Sequence, residues 1–133
     1  MNREPRTASQ RSALLRIFHG IVAIKYSLHG FIACFRDETA FRLECAFAIP
    51  HFVLIFFIHV DLWIKAVLGV LWLLLVAIEL LNSSIEATVD LISLEKSDLA
   101  KKAKDCGSAA VMVLIVALVT CWAIAVFIAF GGC

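Results

Sequence analysis

Charge is scarce in this sequence. Only 17% of its 133 residues are charged, 62% are hydrophobic, and the mean hydropathy is +0.96. Small soluble domains bury only about 60–70% of the surface their unfolded chains expose. A water-soluble globular domain cannot hide this composition, and the same apolar content excludes a disordered tail. A basic excess is missing too. The formal net charge is +1, and no basic stretch carries interleaved aromatics for stacking on nucleic-acid bases. The five cysteines, Cys34, Cys45, Cys106, Cys121 and Cys133, contain no CxxC pair, which argues against a disulfide framework or a structural zinc site. Glycine-rich phosphate loops of the GxxxxGK[ST] or GxGxxG type are absent, as are HRD and DFG motifs. What remains is a chain that must meet lipid.

Its organisation follows from where the apolar runs lie. Residues 1–12 are polar, contain Pro5, and read as a flexible lead-in rather than a removable signal peptide. Over residues 13–36, Ile17, Ile21, Ile24, Leu28, Phe31 and Phe35 recur at helical spacing, with Arg16, Lys25 and His29 elsewhere on the wheel. That pattern predicts an amphipathic helix lying on the membrane surface. Three apolar stretches follow, predicting transmembrane helices over 40–60, 62–89 and 107–131. The first is interrupted by Pro50, His51 and His59, and Asp61 marks a tight turn. Residues 90–106 are polar and predict a loop. Eleven of the twelve Lys and Arg lie before residue 43 or between residues 96 and 104. The positive-inside rule then puts the N-terminus and the 90–106 loop in the cytoplasm and the C-terminus outside. The expected fold is all-α integral membrane: three spans plus a surface helix in a single domain, residues 1–133.

The second span does not stop where its apolar run stops. Its helical pattern continues through Glu79-Leu80-Leu81-Asn82-Ser83-Ser84-Ile85-Glu86-Ala87-Thr88-Val89-Asp90. At about 100° per residue, Glu79, Asn82, Glu86 and Asp90 fall near 0°, −60°, −20° and +20°, on one stripe. Glu79 lies about 26 Å along the helix from Leu62, at the edge of a hydrocarbon core about 30 Å thick. Glu86 is about 10 Å further on, at headgroup level. One carboxylate can therefore meet a lipid hydroxyl while another meets a water-soluble, charged reagent. A helix end lined by solvated acids is the plainer alternative, but a carboxylate at the lipid edge is costly and tends to be kept for function.

Glu38 and Glu44 form a second acidic group at the mouth of the first span, and Lys101, Lys102, Lys104 and Asp105 precede the third. Carboxylates with nearby lysines, and no thiolate or histidine cluster, point to magnesium and phosphate rather than zinc. His51 and His59 read as packing or interface residues. The run Gly107-Ser108-Ala109-Ala110 allows close helix approach.

These blocks resemble the small bacterial integral-membrane diacylglycerol kinases. The segment from Glu79 to Asp90 matches their signature, Asp37-Glu38-Thr39-Ala40-Phe41-Arg42-Leu43-Glu44 their acidic approach to the first span, and Lys101-Lys102-Ala103-Lys104-Asp105-Cys106-Gly107-Ser108-Ala109-Ala110-Val111 their approach to the third. The resemblance covers roughly residues 15–130. It implies a homotrimer with composite sites shared between subunits, in the bacterial cytoplasmic membrane, that moves the γ-phosphoryl group of ATP to diacylglycerol and makes phosphatidic acid. It also implies residue roles. Glu79 would be the catalytic base, and Glu38 with Glu86 would hold Mg2+. Tyr26, Glu38, Asn82, Glu86, Asp90, Glu95, Lys104 and Asp105 would contact ATP. His19, Glu79 and Ser108 would bind the lipid.

Four residues depart from the family pattern. His19 stands where arginine is favoured, His29 where lysine is usual and Asp37 in place of asparagine, while Pro50 falls within the first span. Two other functions compete. An undecaprenol kinase would share fold and chemistry and differ in its lipid pocket. A non-enzymatic membrane subunit relaying protons would place its acids near mid-bilayer, whereas here they gather at the cytoplasmic end.

Overall fold

A computed structural model describes the backbone over residues 8–92 and 97–131, and side chains from His19 onward with the exception of residue 21. Four helices follow one another: α1 (Ala8–Asp37), α2 (Thr39–Phe57), α3 (Leu62–Ile92) and α4 (Asp98–Gly131). α2, α3 and α4 are each long and apolar enough to cross a membrane. The chain is an all-helical membrane protein, and no strand occurs among the described residues.

The helices differ from the sequence expectation at several places, and α2 stops at Phe57 rather than at residue 60, where Ile58 turns to an extended backbone. Helix already begins at Ala8, inside the segment expected as a lead-in. The expected loop at 90–106 is mostly helical, because α3 runs to Ile92 and α4 starts at Asp98. Ser97 supplies the start signal: its Oγ accepts the Ala100 N–H at 3.1 Å, as a capping serine does. Alanine, leucine and lysine then propagate the helix, helped by the Lys101–Asp105 pair one turn apart at 2.7 Å. Pro50, finally, does not interrupt its span. α2 continues through it from Thr39 to Phe57, as membrane helices allow when neighbouring helices hold them.

Two joints fix the layout. Between α1 and α2 the chain turns at Glu38 alone, which adopts an extended backbone. Arg42 clamps this corner by donating to the Arg36 carbonyl at 2.8 Å and to Thr39 Oγ1 at 2.9 Å. Phe31 of α1 meets the fully buried Phe41 of α2 edge to face, with centroids 4.9 Å apart. At the opposite end of the spans, Lys65 Nζ donates to the Phe56 carbonyl at 3.2 Å and so caps the end of α2. α3 packs most extensively against α4 and next against α2.

The buried stripe of α3 organises the molecule. Ile64, Leu68, Trp72 and Leu75 form its core, joined by Leu118 and Ala125 of α4. Elsewhere the spans present large apolar side chains outward, including Ile49, Phe56, Leu73, Val113, Val116 and Phe127. Outward apolar surface of this kind suits lipid as the surrounding solvent. Midway along α2, buried His51 stacks on Trp72 at 4.3 Å and its Nδ1 accepts the Trp122 indole N–H at 3.2 Å. It thus reads as packing, tying α2 to both α3 and α4.

Candidate active site

The polar stripe is the continuation of that core. Steps of three and four residues lead from Ile64 through Leu68, Trp72 and Leu75 to Glu79, Asn82 and Ser83, all buried. At about 100° per residue these positions stay within roughly 60° of Glu79. The same helix face therefore passes from hydrocarbon packing to chemistry without a break. Only the residue type changes.

Glu79 is the focus of this face. Its side chain is buried, and the carboxylates of Glu38, Glu44 and Glu86 lie within electrostatic reach of it. Each arrives by a different route. Glu38 is set at the α1–α2 corner and makes no capping hydrogen bond with its side chain, so its carboxylate serves no helix end. Glu44 follows on α2, with Oε2 buried and unpartnered. Glu86 comes two turns along α3 and accepts a hydrogen bond from Asn82 Nδ2 at 3.1 Å. Neighbouring carboxylates at a low-dielectric boundary repel one another, and a bound cation would relieve them.

Asn82 is held from the other side by α4. Gly107 lies against it so tightly that a Cβ at that position would collide with Asn82 Oδ1. That oxygen is itself buried and lacks a hydrogen-bond partner, leaving it an available hard acceptor. Among the described residues no three His, Cys, Asp or Glu side chains stand together as a metal cage. The donor set, carboxylate and amide oxygen without thiolate or imidazole, nevertheless fits a magnesium ion that keeps water and phosphate oxygens in its shell.

The structure distributes the other residues singled out in the sequence unevenly. Lys104 reaches back from α4 to Asp90 of α3 at 2.6 Å, putting a cation beside the stripe. Asp105 is one residue further round the helix and pairs instead with Lys101; it is not brought to Lys104. Tyr26 and His19 are exposed on α1, and Ser108 is exposed on α4 beside Gly107. Glu95 lies outside the described residues. Two features had no signal in the sequence, the Lys104–Asp90 pairing and the burial of Ser83; the small residues from Gly107 did signal a close helix approach, but not that Asn82 is what Gly107 meets.

Fold and site together define a helical membrane protein with a carboxylate centre at one end of its spans. The chain belongs to the prokaryotic diacylglycerol kinase family, which matches it over residues 25–126. It is similar to a diacylglycerol kinase of Pseudomonas aeruginosa, 44% identical over 101 residues that cover 76% of this chain and 82% of the relative. A diacylglycerol kinase of Haemophilus influenzae is 41% identical over 78% of this chain and 88% of its own length. One of Escherichia coli is 38% identical over 84% and 91%. The chain is thus an enzyme of a lipid-kinase family and a bacterial membrane protein.

Proposed function

We propose that this protein transfers the γ-phosphoryl group of ATP to the free hydroxyl of diacylglycerol, yielding phosphatidic acid and ADP at the cytoplasmic face of the inner membrane. The observation that carries this reading is the run of buried Glu79 and Asn82 at the end of the α3 core stripe, with Asn82 holding Glu86 at 3.1 Å. Family membership supports the choice of lipid.

Each residue then has a task. Glu79 takes the proton from the lipid hydroxyl as its oxygen bonds to the γ-phosphorus and the bond to the ADP oxygen breaks. Glu38 and Glu86 hold the metal, with Asn82 steering Glu86 through its amide. Magnesium, when bound, neutralises charge on the phosphates. Lys104 and Asp90 flank the nucleotide, and Tyr26 and Asp105 contact it further; for Glu95 a nucleotide contact rests on the family resemblance alone. His19 and Ser108 line the path of the lipid. The exposure of Tyr26 and Ser108 in the single chain supports a homotrimer whose neighbours complete each site.

Purified protein in mixed micelles, supplied with magnesium ATP and either diacylglycerol or undecaprenol, tests the assignment. Phosphatidic acid is the expected product, formed much faster than the polyprenyl phosphate. Phosphorylation of undecaprenol alone, or no ATP consumption with either lipid, would overturn it.

A further inference from the structure

A pocket of about 490 Å³ opens at the end of the spans away from the carboxylates, where the α2–α3 turn meets the end of α4. Its lining includes Phe56, Phe57, His59, Asp61, Lys65 and Ile128. We propose that it seats the headgroup of a zwitterionic phospholipid with a primary amine, the phosphate on Lys65 and the ammonium on Asp61. The site lies about 21 Å along α3 from Glu79, in the other leaflet, and goes beyond the kinase reading without resting on it.

The two charges are the first observation. Asp61 and Lys65 are four residues apart, a spacing at which carboxylate and ammonium commonly pair along a helix. Here they do not. The Lys65 ammonium crosses to the Phe56 carbonyl at 3.2 Å, and among the described residues the ion pairs are Lys101–Asp105 and Lys104–Asp90. An ammonium carries three donors, so two remain after that bond. Asp61 starts α3 through its carbonyl, which accepts the Ile64 and Lys65 N–H groups at 3.0 and 3.3 Å; its carboxylate takes no part. One pocket thus offers a cation and an anion that do not neutralise each other. A simple anion would be repelled by Asp61 and a simple cation by Lys65. A phosphate joined to an ammonium by a short linker satisfies both, and the His59 imidazole adds a further polar contact for the phosphate.

The walls argue for a lipid rather than a soluble zwitterion. Phe56, Phe57 and Ile128 are largely exposed and stand on α2 and α4, two of the three helices able to cross a membrane. Lysine at the end of a span marks the depth of the headgroups. A phospholipid standing in the leaflet would lay its chains along Phe57 and Ile128 while its headgroup entered the pocket, whereas a soluble molecule would leave those walls uncovered. The volume falls within the range of small-ligand sites, about 300–1,000 Å³. Asp61 also favours a primary amine over a trimethylated one, because only the former donates charge-assisted hydrogen bonds to a carboxylate.

Binding of phosphatidylethanolamine, phosphatidylcholine and phosphatidylglycerol with identical chains to the full-length protein in detergent, read by native mass spectrometry, tests the proposal. The ethanolamine lipid should bind roughly 3–10-fold more tightly than the other two, the worth of one hydrogen bond. Asp61→Asn should remove that preference, and Lys65→Gln, which keeps a donor for the Phe56 carbonyl, should weaken the ethanolamine lipid. Equal affinity for the three headgroups in the unsubstituted protein would overturn the proposal however the variants fold. So would a preference that survives Asp61→Asn. Displacement of the lipid by soluble phosphoethanolamine at a similar concentration would overturn the assignment to a lipid.

Discussion

Gly107 of α4 presses against the side-chain amide of Asn82 in α3, and no larger residue fits between them. The contact sits one helical turn past Glu79, and Asn82 in turn holds Glu86. A packing detail on α4 therefore fixes a proposed metal ligand on α3. Alanine at position 107 must displace Asn82 or part the helices, at a cost of about 1–3 kcal/mol for overpacking. Gly107→Ala should lower turnover at least tenfold and raise the magnesium concentration needed for half-maximal rate. Unchanged kinetics across a magnesium titration would show that Asn82 does not position Glu86.

Glu86 itself should behave as a metal ligand rather than a structural residue. It is only half-buried, and replacing its carboxylate with an amide removes charge but little packing. Glu86→Gln is expected to raise the magnesium requirement and reduce turnover while the oligomer, read by size-exclusion chromatography in detergent, stays intact. Normal rates at limiting magnesium would remove Glu86 from the site.

Lys104 and Asp90 join α4 to α3 across the break between the helices, yet both are solvent-accessible. Accessible ion pairs contribute little to stability. Lys104→Gln should therefore leave thermal unfolding nearly unchanged and raise the KM for ATP about tenfold. A large drop in melting temperature with an unaltered KM would mark the pair as a structural clasp.

Much of the site was legible from the 3.6-residue period. Glu79, Asn82, Glu86 and Asp90 share a stripe by arithmetic alone, and the structure adds that this stripe prolongs the buried face of Leu68, Trp72 and Leu75. The span containing Pro50 was legible as a span but not as an unbroken one, because the ring contacts of His51 that hold it are tertiary. Lysines at 101, 102 and 104 carried the positive-inside signal and masked a helix start that Ser97 specifies locally. The split between Lys104 and Asp105 follows from helix geometry, since adjacent residues point about 100° apart. Gly107 matters through what faces it from another helix, and no single-helix pattern reports that.

The His51 cluster offers a control. Trp122→Phe removes the indole N–H that His51 accepts and should cost about 0.5–1.5 kcal/mol of stability. The cluster shares an apolar pocket with Glu44 but lies about 10 Å, two helical turns, from Glu79 along α3, so kcat should stay within about twofold. A large loss of kcat in a folded variant would mean that the helix contacts at His51 govern the site directly.

The central claim is that Glu79 acts as the base. It is needed only while the lipid hydroxyl gives up its proton, so its removal should affect rate and spare folding and nucleotide binding. Glu79→Gln keeps shape and hydrogen-bonding reach but cannot accept that proton. The decisive measurement is its kcat with diacylglycerol, beside its oligomeric state and its affinity for magnesium ATP. A fall in kcat on the order of 10²–10⁴, with assembly and nucleotide affinity preserved, is the predicted result. Near-normal turnover, or a loss of activity that tracks failure to assemble, would contradict it.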